Sequence, residues 1–259
     1  MIARMLSGRR VPAALQRVDR PQAIALAVGL AITAAVGWLV GGSFILAVAV
    51  AIELTAGGLG AVALMGPSQP GLGIARYTTL ALAGVSATLA GRLIPGGVSL
   101  LFIPLLAVML WAVLWLELRA SFETVERTAL DLALTAILFA AAAGIGGLMG
   151  NEGWPPPLGL VLLIGLVLSL RSAEARGEGG VQAVGQALLH TLAIGQVAVA
   201  VVILRIPGLV GPALVALAFY VWGGAADALG GGSNPRSVAL EFGSLALLGF
   251  VVAVLMAHA

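Results

Sequence analysis

Long apolar runs fill this chain, broken at short intervals by segments rich in glycine, proline and charge. About 20 apolar residues are needed to cross the hydrocarbon of a bilayer as a helix. On that length the pattern predicts nine spans, over 21–40, 44–65, 72–92, 97–117, 128–149, 156–171, 181–204, 208–228 and 236–257. The sixth is the short one and follows Pro155, Pro156 and Pro157; were it re-entrant, the topology beyond it would invert. The expected fold class is an all-α, polytopic membrane helix bundle.

Arginine placement tests the count, because positive charge is retained on the cytoplasmic side. With the N-terminus inside, the inner segments hold Arg4, Arg9, Arg10, Arg17, Arg20, Arg76, Arg119, Arg127, Arg171, Arg176 and Arg236, and the outer ones only Arg92 and Arg205. Nine spans give this split, and they put the C-terminus outside. Residues 1–20 form a basic segment in which Val11, Ala14, Leu15 and Val18 recur at helical spacing, which fits a short amphipathic helix on an anionic leaflet or a frayed basic tail.

Residues 21–259 then make one transmembrane bundle, with a hint of duplication. A shift of 112 residues superposes Ile94-Pro95-Gly96 on Ile206-Pro207-Gly208, and Thr79-Leu80-Ala81 on Thr191-Leu192-Ala193. It carries spans one to four onto five to eight, so repeats at 21–118 and 128–230 would share one orientation, a parallel 4+4 arrangement with the last helix, 236–257, unmatched. Small-xxx-small faces at Gly57, Gly58 and Gly60, at Gly84, Thr88 and Gly91, and at Gly146 and Gly150 suit close helix packing.

Composition sharpens this. The 259 residues are 61% hydrophobic and 9% charged, with mean hydropathy +1.12. Too little polar surface remains to cover a water-soluble core, so the bilayer is the solvent. No cysteine is present, which excludes disulfides, thiolate metal sites and thiol catalysis. No lysine is present either; all thirteen basic side chains are arginine, which removes a Schiff-base lysine and a P-loop and also matches GC-rich coding. The expected setting is a bacterial inner membrane. No basic patch with interleaved aromatics points to nucleic acid.

Ionisable groups at membrane depth are costly and so are functional candidates. Glu53 and His190 fall near the midplane, and Arg76, Asp131, Asp227 and Glu241 in the cytoplasmic third. Gln182, Gln186 and His190 recur every four residues, with Gln196 in the same sector, and this polar stripe is expected to face the bundle interior. It would line a pore or pocket, with His190 able to carry a proton, or it would glue helices by hydrogen bonds. Glu123, Arg127 and Asp131 follow at four-residue steps beside Glu126, an interfacial ion-paired turn from which Asp131 enters the hydrocarbon. Glu53 has no basic neighbour in sequence and must meet a partner on another helix, for which His190 and Arg76 are the candidates, or stay protonated.

No HExxH, GxSxG or GxGxxG motif precedes a suitable element, and two histidines cannot make a bis-histidine haem within the bundle or a three-histidine zinc site. No cofactor is called for. Three functions remain open. A small transporter or permease component would use Glu53, Arg76, Asp131, Gln182, Gln186, His190 and Glu241 as its pathway. A non-catalytic membrane subunit would pack by its glycine faces against a membrane-protein partner or a second copy. A lipid-modifying enzyme would build an interfacial site from Glu123, Glu126, Asp131 and Glu241. Membrane lipids are partners in all three.

Overall fold

The computed structural model describes residues 20–40, 42–66, 73–94, 96–119, 124–149, 156–206 and 208–258. Among them the chain forms nine α-helices and no strand: α1 (Arg20–Leu39), α2 (Ser43–Met65), α3 (Arg76–Gly91), α4 (Gly96–Arg119), α5 (Thr124–Met149), α6 (Pro156–Ala175), α7 (Gly180–Ile203), α8 (Val210–Gly230) and α9 (Pro235–His258). Eight are long and apolar enough to cross a membrane. The protein is a multi-pass helical membrane bundle. The basic segment 1–20, with its predicted amphipathic helix at 11–18, lies outside the described residues except for Arg20.

The short helix is the third, not the sixth. Pro156–Ala175 is a full 20-residue helix, because the prolines stand at its first turn, where a missing N–H costs nothing. Helix α3 has only 16 residues, yet 11 of them are buried. A rise of about 1.5 Å per residue makes it about 24 Å long, short of the hydrocarbon thickness of about 30 Å. Its anchors run it alongside α2 from end to end. At its start, the Arg76 guanidinium donates to the Met65 carbonyl at 3.3 Å and the Tyr77 hydroxyl to the Gly66 carbonyl at 2.7 Å, at the end of α2. Past its end, Arg92 donates to the carbonyls of Gly37, Val40 and Gly42, where α1 gives way to α2. The same helix, α2, is therefore gripped at opposite ends. Helix α3 can be short and carry Thr79, Ser86 and Thr88 because its neighbours, not lipid, surround it.

Helices α1 to α4 pack in sequence and α4 returns to α1, closing a ring; α5 to α8 do the same, with α8 returning to α5. The rings meet mainly where α3 lies on α5, and α9 packs chiefly on α8. Two glycines set the closest approaches. A Cβ on Gly57 would fall 2.7 Å from the Ala81 Cα, and one on Gly144 would fall 2.5 Å from the Leu89 backbone carbon, so α2 on α3 and α5 on α3 are backbone-to-backbone contacts. The glycine expected on α5, Gly146, has open space beside it instead.

The face where α1 starts is called proximal below, and the other distal.

Candidate functional site

The proximal half of the second ring gathers polar groups from all four of its helices. The α6–α7 turn is built from Arg176, Gly177, Glu178, Gly179 and Gly180, with positive φ at Gly177 (88°) and Gly180 (57°), a region open to glycine at no steric cost. That sharp reversal leaves Arg176 at the end of α6. Its Nη1 donates to Ser172 Oγ at 2.8 Å, and Ser172 Oγ donates to Asp131 Oδ1 of α5 at 2.7 Å. Its Nε lies 3.6 Å from Asp227 Oδ1 of α8, whose side chain is 42% exposed and opens the cluster to the proximal surface.

Deeper in the same ring sits His190, fully buried as the eleventh residue of α7. Its Nε2 lies 2.9 Å from the Phe219 carbonyl of α8. A carbonyl only accepts, so Nε2 carries a proton and Nδ1 offers a lone pair in the neutral ring. That Nδ1 is buried without a partner. The ring stacks on Phe219 at 4.4 Å and lies 6.3 Å from the Trp222 ring. Gly223 connects the two levels: a Cβ there would lie 3.9 Å from His190 Cε1 and 4.0 Å from Arg176 Nη1. These groups make a polar track in which Asp227, Arg176, Ser172 and Asp131 are joined by direct contacts, with His190 deeper, near the same Gly223 as Arg176.

A second proximal network ties the rings together. Arg171 of α6 clasps Glu117 of α4 through Nε at 3.0 and 2.8 Å and through Nη2 at 2.7 Å, with side chains 6% and 0% exposed. One turn on, the Glu174 carboxylate accepts from the Ala75 N–H at 3.0 Å, placing negative charge where the dipole of α3 begins. Sequence reasoning passed over Glu117, Ser172 and Glu174, and counted Arg171 and Arg176 only as topology markers. The available signal was one ionisable residue near the proximal end of span four and the Arg171–Glu174 spacing at the end of span six.

The remaining sequence candidates fall elsewhere. Glu53, the eleventh residue of α2, is fully buried and accepts from Thr88 of α3, with Gly84 beside it. Its Oε2 has no partner. It meets neither His190, which belongs to the other ring, nor Arg76, which is spent on the Met65 carbonyl and lies 4.8 Å above the Tyr77 ring. The α7 stripe does not face inward as a unit. Gln182 and Gln196 are exposed and Gln186 is half-buried, while the buried face runs through Ala183, Ala187, His190, Ile194 and Ala198. At about 100° per residue the stripe touches that face only at His190 and then turns away from it. Glu241 is exposed on α9, apart from the track. Glu123 and the side chain of Glu126 lie outside the described residues. Among the described residues, no group of three or more histidine or acidic side chains is placed to hold a metal ion.

No protein-family model, no curated protein and no solved structure matches this chain.

Proposed function

We propose that the protein is a small membrane transporter or permease component, and that its solute path begins at the proximal face of the α5–α8 ring. One observation carries this reading: each of the four helices contributes a polar group to this track, with Asp131, Ser172, Arg176 and Asp227 in direct contact and His190 deeper, near the same Gly223. A bundle held by lipid-side packing alone gains little from ionisable groups at depth, since interhelical hydrogen bonds there average about 0.6 kcal/mol. The track offers both signs of charge near its mouth and a bare ring nitrogen at mid-depth, which suits a small polar solute whose movement is coupled to a proton on His190 Nδ1.

The proximal face is taken as cytoplasmic, because Arg76, Arg119, Arg127, Arg171, Arg176 and Arg236 belong to it and only Arg92 and Arg205 to the other. A bacterial inner membrane is the assumed setting. The matching circuits of α1–α4 and α5–α8 support the parallel repeat, with the track in one copy and the closed Glu53–Thr88 pair in the other.

Exchange of the histidine ring Cε1 proton for deuterium tests the path in the unsubstituted chain, which has only His190 and His258. The account expects His190 to exchange in the same time range as His258. Exchange at His258 with none at His190 would overturn it and favour the second reading, a packed, non-catalytic subunit, to which the enclosed Glu53 already lends support.

A further inference from the structure

On the distal side the molecule carries a feature that the proposed path does not use. Helices α5, α8 and α9 enclose a groove of about 460 Å³ lined wholly by apolar side chains, among them Phe139, Leu209, Ala213, Leu217, Leu248 and Met256. Along α9 the lining runs from Leu245 to Met256. At about 1.5 Å per residue this is about 16 Å, half of a hydrocarbon layer of about 30 Å. The groove thus spans one leaflet, from mid-depth to the distal interface.

A cation, Arg205, lies shortly before it in the chain, on the distal side. Arg205 closes the end of α7 in the left-handed region, φ 51°, the one residue other than glycine with positive φ among the described residues. A side chain with a Cβ adopts that conformation at a cost, so the surrounding structure imposes it. Here the turn is held by Arg205 N–H to the Val202 carbonyl at 3.2 Å and Ile206 N–H to the Val201 carbonyl at 3.1 Å. Four residues later the chain supplies Leu209 to the groove.

The two distal arginines differ sharply. Arg92 spends its guanidinium on three backbone carbonyls. Arg205 is exposed, and every acidic residue whose side chain is described lies at mid-depth or on the proximal side: Glu53, Glu117, Asp131, Glu174, Glu178, Asp227 and Glu241. Glu152, in the distal connection between α5 and α6, lies outside the described residues. An exposed guanidinium with no carboxylate on its side of the membrane among the described residues, four positions before the groove-lining Leu209, has with that leaflet-length apolar groove the charge and shape complement of a phospholipid.

We propose that this groove is a binding site for one phospholipid of the distal leaflet, an acyl chain lying between α8 and α9 and the headgroup phosphate on Arg205. The guanidinium fork matches a phosphate's oxygens. The bound lipid would pack α9, whose spanning window is only 11% buried, against the rest of the bundle.

Native mass spectrometry of the full chain, extracted in mild detergent after incubation with phosphatidylglycerol vesicles, tests this. The wild type is expected to retain one phospholipid per chain. Ala213→Trp, which fills the groove from an exposed position, should abolish retention, and Arg205→Ala should weaken it about fivefold, the effect of one cation at a membrane surface. Arg236→Ala, exposed on the proximal face, should leave retention unchanged. Circular dichroism shows whether each variant keeps its helices. Equal retention in the wild type, Arg205→Ala and Ala213→Trp would overturn the proposal. So would retention lost in Ala213→Trp but unchanged in Arg205→Ala, which would mark an acyl groove without phosphate recognition. A dimer mass that Ala213→Trp dissociates would overturn it too, by making a second copy the occupant.

Discussion

Replacing Glu117 by glutamine removes one charge from a pair that holds α4 to α6. The geometry sets the magnitude. Arg171 makes three contacts of 2.7–3.0 Å to the carboxylate, and the side chains are 6% and 0% exposed. Removing one partner of such a buried pair leaves the other charge uncompensated, at a cost of about 3–5 kcal/mol. The nearest relief is Glu174, three residues further along α6. Its carboxylate already accepts from the Ala75 N–H, so swinging to Arg171 would forfeit a helix cap, worth about 0.5–2 kcal/mol. Glu117→Gln should therefore lower stability by at least about 1 kcal/mol, and Arg171→Met, in which Glu174 cannot relieve the stranded Glu117, by about 3 kcal/mol or more. Glu117→Leu combined with Arg171→Met leaves no unpaired charge and should recover most of that loss, since apolar replacement of buried pairs is often neutral. Reversible unfolding in mixed micelles at increasing dodecyl sulfate, read by circular dichroism, gives the three differences. Single variants costing less than about 1 kcal/mol, or a double variant costing the sum of the two, would refute the reasoning.

Three further outcomes follow from the same structure. Gly57→Leu drives a side chain into the Ala81 backbone and should cost at least about 3 kcal/mol or abolish folded yield, whereas Gly58→Leu, with open space beside it, should stay within about 1 kcal/mol; the same unfolding assay decides. Thr88→Val takes away the donor to Glu53 and should cost about 1–3 kcal/mol, while Glu53→Gln keeps an acceptor for Thr88 and should cost less. Glu174→Ala uncaps α3, and amide exchange at Ala75 and through the first turn of that helix should rise about tenfold, the equivalent of about 1.4 kcal/mol, without a matching rise in α7.

The helices were legible because the bilayer imposes a length on them. Eight apolar runs meet that length outright, and the ninth helix, α3, does not. The third helix was misjudged as ordinary because hydropathy measures exposure to lipid and α3 is shielded from lipid by protein; the sixth was judged short because its span was ended at Arg171, whereas the helix runs on to Ala175. The candidate site was legible only in part. Asp131 and His190 stood out as ionisable groups at depth; the structure joins Asp131 to Arg176 through Ser172 and sets His190 near the same Gly223 as Arg176. Which face of a helix is buried depends on how it is rotated against its neighbours, and spacing along one helix carries no such information. That is why Gln182 and Gln196 were read inward and lie outward. Glu117 and Arg171 sit 54 positions apart in the chain, and only the folding of α4 alongside α6 reveals them as a pair.

The central claim is a water-accessible track inside the second ring, and labelling of single cysteines tests it most directly. The chain has no cysteine of its own. Asp227→Cys, Asp131→Cys, His190→Cys and Glu53→Cys, in sealed membranes, are exposed to a membrane-impermeant thiol reagent from the proximal side. The account predicts labelling at 227, 131 and 190, falling in rate with depth, and none at 53, which belongs to the closed Glu53–Thr88 pair of the first ring. Labelling at 227 alone, with 131 and 190 as silent as 53 in folded protein, would contradict it.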